Sequence, residues 1–126
     1  MEALENLVVW RRACRLSVEV YGLLDGCRNR GFSDQLGRSA LSVASNIAEG
    51  YAREAPKERA HFLRVAKGSC TEAWTQLLIG IEAGLVELEQ GGRLADEARQ
   101  ITKMIYALIR HIEQGAARQG RRPRPT

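Results

Sequence analysis

Apolar residues recur every three or four positions along most of the chain, and alternation with period two is absent. That spacing puts them on one face of a helix and argues against half-buried strands. Four helices are predicted. The first runs from Leu4 to Leu24, with a core stripe of Leu7, Trp10, Cys14, Val18, Tyr21 and Leu24, and breaks at Gly26 and the segment 28–31. The second starts near Ser33, a good N-cap, with Asp34 in its first turn. It carries Leu36, Ala40, Val43, Ala44 and Ile47 and stops at Gly50, read as a left-handed cap.

The third helix begins at Pro56, a residue suited to the first helical position. Its apolar positions are Phe62, Leu63, Ala66, Cys70, Ala73, Trp74, Leu77, Leu78 and Ile81, and Gly84 ends it. Gly91 and Gly92 mark the next loop; the fourth helix takes Leu94, Ala98, Ile101, Ile105, Leu108, Ile109 and Ile112 and ends before Gly115. Short connections between helices of this length make neighbours antiparallel. The fold expected is all-α, an antiparallel up-down-up-down four-helix bundle over residues 1–114, followed by a basic disordered tail over 115–126.

The first helix has more apolar surface than one core needs. Val9, Ala13, Leu16, Val20 and Leu23 form a second stripe beside the first, leaving a polar wedge of Arg11, Arg12, Arg15 and Glu19. The third helix has a weaker surplus in Val65, Ile79, Ala83 and Val86. Soluble monomers rarely expose so broad an apolar band. A homo-oligomer is therefore expected, with Val9, Leu16, Val20, Leu23 and Ile79 at the subunit interface. The alternative is that the first helix sits centrally and buries both stripes inside its own bundle.

Small residues face each other across the second and third helices: Ser39, Ala40, Ser42, Ala44, Ser45 and Ala48 against Ala66, Gly68, Ser69, Cys70 and Ala73. Small side chains allow close helix approach, which would offset the cost of Gly68 inside a helix. A turn near Arg53–Glu54 would bring Ser39 level with Gly68 and Arg38 level with Ser69. An Arg38–Glu72 ion pair follows from that register.

The 126 residues suffice for one domain, and a net charge of +4 with a pI near 9.3 points first to nucleic acid. Its distribution weakens that reading. Residues 1–114 hold 15 basic and 15 acidic groups, so the whole excess sits on Arg118, Arg121, Arg122 and Arg124. These four, with Arg11, Arg12 and Arg15, are the candidates for phosphate contact; copies in an oligomer would add their weak contacts together.

Three cysteines, Cys14, Cys27 and Cys70, form no CxxC pair, and Cys14 and Cys70 read as small core hydrophobes. They fit a reducing cytoplasm. No leader pattern or membrane-length apolar run is present, so no membrane partner is expected. His61 and His111 lack the spacing of a triad, and only His61 has a Glu three residues before it, so neither catalysis nor a metal or other cofactor is expected.

Three blocks carry a resemblance. The segment 4–13, which contains Leu7, Trp10 and Ala13, precedes Tyr21; the segment 42–50 contains Ser45, Asn46, Ile47, Glu49 and Gly50; the segment 62–72 contains Ala66, Gly68, Ser69 and Glu72. In order and spacing they resemble the small bacterial four-helix proteins named after the 23S ribosomal RNA intervening-sequence protein. The chain departs at Leu4, where an aromatic is usual, at Ala44, where proline is usual, and at Ala55, where a Ser-type cap is usual.

The resemblance implies a homopentamer, similar to the accessory variability determinant of diversity-generating retroelements. That protein is a basic barrel that binds a reverse transcriptase and nucleic acid. The resemblance also marks Asn46, Glu49, Gly50, Gly68, Ser69 and Glu72 as motif positions, which read physically as caps, close packing and polar pairing, with Arg38 as partner. The function expected is a non-enzymatic oligomeric scaffold or adaptor of the cytoplasm with weak nucleic-acid binding. The alternative is a specific RNA- or DNA-binding module acting with a reverse transcriptase or a ribosomal RNA insert.

Overall fold

The computed structural model describes residues 3–121. A short 3-10 turn at Leu4–Asn6 leads into four helices: α1 (Val8–Leu23), α2 (Arg30–Ala52), α3 (Pro56–Glu82) and α4 (Leu88–Arg121). No strand occurs among the described residues. Each helix packs on the next in sequence, and α1 also packs on α4.

Local chemistry explains most of the boundaries. Asn29 caps α2, its side-chain oxygen accepting from the Phe32 N–H at 3.0 Å, so the cap lies four residues before the predicted Ser33. Pro56 opens α3 as predicted. At its other end Gly84 adopts φ +70°, Leu85 N–H donates to the Gly80 carbonyl at 2.8 Å, and Gly84 N–H donates to Ile81 at 3.1 Å. This is a Schellman ending, which needs the left-handed conformation that glycine takes without strain.

Two other glycine readings change. Gly50 lies inside α2, which continues to Ala52, and has no positive φ. Its role is close approach: a Cβ there would stand 3.1 Å from the Arg59 carbonyl oxygen and 3.2 Å from Phe62 Cβ. Gly91 and Gly92 lie inside α4, not in a loop. A Cβ on Gly91 would meet Val86 Cγ1 at 2.5 Å, so the glycine lets α4 start tight against the turn that precedes it. At its far end α4 continues through 115–121, the first part of the expected disordered tail.

The core takes Leu36, Ala40, Val43, Ala44 and Ile47 from α2 and Leu94, Ala98, Ile101, Ile105 and Ile109 from α4, as the spacing predicts. From α3 it takes Leu63, Ala66, Cys70, Ala73 and Leu77. Helix α1 is rotated from expectation. Val9, Ala13, Leu16 and Val20 are buried inside this chain, whereas Val18 is 71% and Tyr21 51% exposed. The supposed surplus stripe is the core stripe. Val9, Leu16 and Val20 therefore have no surface to offer another subunit, and Leu23 is half-buried against the same core. Of the predicted interface residues only Ile79, 56% exposed, faces outward.

Candidate functional site

Contacts across α2 and α3 run in opposite order along the two helices: Gly80 lies against Phe32, Ser69 against Ser42, and Phe62 against Gly50. The Ser42 and Ser69 hydroxyls are 2.8 Å apart, and Asn46 Nδ2 donates to the Ser42 carbonyl and hydroxyl, both at 2.9 Å. This polar seam, half-buried at Ser42 and Asn46, ties the two helices at one level. The register differs by one turn of α3 from the prediction, which put Ser42 opposite Val65.

The shift removes the expected ion pair. Arg38 and Glu72 line one groove of about 540 Å³ with Asp34, Gln35, Ser39, Ser42 and Ser69, but they do not come within the 4.0 Å of a salt bridge. Glu49 instead pairs along its own helix with Arg53, at 2.5 Å. Gly68 does not serve close packing either: it is exposed, and a Cβ added to it would meet nothing within 4 Å.

The predicted phosphate contacts separate. Arg12 is committed to α4. Its Nε donates to Glu97 at 2.9 Å and its Nη2 to the other Glu97 oxygen at 2.5 Å and to Gln100 at 2.9 Å. The hydrogen bond to Glu97 raises the guanidinium pKa further above its ordinary value. Such a fork-on-fork pair fixes one helix against another. Arg11 and Arg15 remain exposed on α1, and Arg118 is exposed on α4. Arg121 is the last residue of α4, and Arg122 and Arg124 lie outside the described residues.

Two surfaces escaped the sequence reading. On adjacent helices, Tyr21 of α1 lies over Gly37 of α2, where a Cβ would stand 3.2 Å from the ring. Beside them Val18 and Leu41 are 71% and 50% exposed, which makes an outward apolar patch on the α1–α2 edge. Between α3 and α4, Tyr106 has Lys67 Nζ 5.1 Å and Arg110 Cζ 5.9 Å from its ring centroid. The sequence signal for the second surface was the set Lys103, Tyr106 and Arg110 at spacings of three and four on one helix face.

No group of three or more His, Cys, Asp or Glu residues able to hold a metal ion occurs among the described residues, and no helix there is long and apolar enough to cross a membrane.

No curated protein matches the chain. Among solved structures, a protein of unknown function from the S23 ribosomal protein family of Bacteroides thetaiotaomicron has the same fold, with a TM-score of 0.75. The two are 21% identical, and the match covers 80% of this chain and 97% of that one. The sequence pattern of the 23S rRNA-intervening sequence proteins matches residues 5–107, which carry the three blocks except Leu4, the α2–α3 seam and Tyr106. On that match the chain belongs to the 23S rRNA-intervening sequence protein family.

Proposed function

We propose that this chain is a non-enzymatic scaffold: an up-down-up-down bundle that assembles with copies of itself, expected as a pentamer. The carrying observation is the patch of Val18, Tyr21 and Leu41, three large apolar side chains half or more exposed on neighbouring helices. The occupant of this patch is a second copy of the chain. Ile79 on α3 supplies a separate exposed apolar position, 56% exposed, and two different patches on one subunit suit the head-to-tail contacts that close into rings. The interface thus moves from the predicted Val9, Leu16 and Val20 to the outer side of α1. Light scattering on a sizing column tests the assembly: a mass several times 14.0 kDa supports it, and a 14.0 kDa species at micromolar concentration ends it.

A second reading has its own observation. The α3–α4 surface carries Arg64, Lys67 and Arg110 around an exposed aromatic ring, the combination that suits nucleic acid. The family's name refers to an intervening sequence of 23S rRNA. Retention on nucleic acid at low salt, lost steeply as salt rises, supports this reading; no retention at low salt ends it.

A further inference from the structure

The groove between α3 and α4 has a volume of about 620 Å³, within the range of sites that hold small organic groups. Three cations line it, Arg64, Lys67 and Arg110, against one carboxylate, Glu113, which pairs with Arg64. Tyr106 is 48% exposed in its wall, and Arg110 Nη1 lies 3.3 Å from the Tyr106 hydroxyl. Gly68 lines the same groove. Glycine inside a helix is destabilising, and no neighbour here requires its small size. Its missing side chain keeps the groove open beside Lys67.

We propose that this groove holds single-stranded nucleic acid, with an unpaired base stacked on Tyr106 and the flanking phosphates on Lys67 and Arg110. The proposal deepens the second reading above and rests on it. A lone anion would use the cations but not the ring; a duplex hides its base faces and would offer only phosphate. An unpaired nucleotide uses both. On entry the two cations exchange the weak quadrupole of the ring for the full charge of a phosphate. Exposed Lys103, one turn before Tyr106 on α4, extends the cationic track along the helix.

Fluorescence anisotropy with short labelled oligo(U), oligo(dT) and a duplex of equal length tests this on the full chain. Wild type binds a single strand more tightly than the duplex, and the tighter of the two single strands names the source. Tyr106→Ala weakens binding about tenfold, while Tyr106→Phe keeps it. Gly68→Leu fills the groove with a better helix former, so binding falls while the melting temperature does not. Single-strand binding left unchanged by both Tyr106→Ala and Gly68→Leu overturns the groove and leaves the broader reading standing. Preference for the duplex overturns the groove as well. Failure of wild type to bind any of the three strands overturns both.

Discussion

Ser42 Oγ and Ser69 Oγ meet at 2.8 Å between α2 and α3, and this contact sets the level at which the two helices pair. Only 9% of Ser69 is exposed, so Ser42→Ala leaves its hydroxyl without a protein partner, whereas Ser69→Ala leaves the Ser42 hydroxyl bonded to Asn46. Ser42→Ala and Ser69→Ala should each lower stability by about 1 kcal/mol. The double variant should lose less than the sum, because each single change already breaks the shared bond. Urea unfolding of the four proteins measures both quantities; strict additivity would contradict the contact.

Gly50 and Gly68 should respond to alanine with opposite signs. Gly50→Ala puts a methyl 3.1 Å from the backbone oxygen of Arg59, which cannot swing away, and should cost about 1–3 kcal/mol. Gly68→Ala adds a methyl in open space and should stabilise by about 0.5–1 kcal/mol. Urea midpoints at unchanged slope report the pair.

The contrast shows what the sequence could and could not tell. Both glycines read as structural, one as a cap and one as a packing residue, because composition alone does not say which neighbour approaches. Helix α1 gives the same lesson in its phase. Two apolar stripes share it, and periodicity fits either. The polar wedge does not separate them either: at roughly 100° per residue Val18 lies roughly 20° from Arg11 on one edge of the wedge and Leu23 roughly 20° from Arg12 on the other. The stripes of α2 and α4 were legible because each helix has one apolar face. The start of α4 was not, because packing of Gly91 on Val86 overrides the local preference of paired glycines for a turn. The Tyr106 groove needs residues from two helices, so only its α4 half was visible as spacing.

The three thiols should differ in reactivity. Burial pushes the Cys70 and Cys14 thiols up from their ordinary pKa and disfavours the thiolate. Cys70 is also fully enclosed, with its Sγ 3.1 Å from the Ala98 carbonyl oxygen, while Cys27 sits at the α1–α2 connection. A disulfide reagent should label Cys27 quickly and the other two slowly, and all three at once in urea. The pH dependence has a definite sign. Above the ordinary thiol value of 9.0 the unfolded chain loses the Cys70 proton before the folded one does, so stability falls as pH rises through that range. Cys70→Ala should reduce that fall.

Core truncation separates the α1 stripes. Leu16 is fully buried, so Leu16→Ala should cost about 2–5 kcal/mol whatever the state of assembly. Val18→Ala should leave subunit stability within about 0.5 kcal/mol, since the side chain is largely exposed in a single chain. Thermal and urea unfolding at low protein concentration provide the comparison.

The outward apolar edge of α1 and α2 is the centre of the functional account, and Val18→Lys combined with Leu41→Lys tests it most directly. Sedimentation velocity of wild type and the double variant, with helix content checked by circular dichroism, is the measurement. Wild type is expected to sediment as an assembly that the two lysines dissolve to a folded 14.0 kDa chain. A wild type that already sediments as a single chain, or a double variant that keeps the full assembly mass, would contradict it.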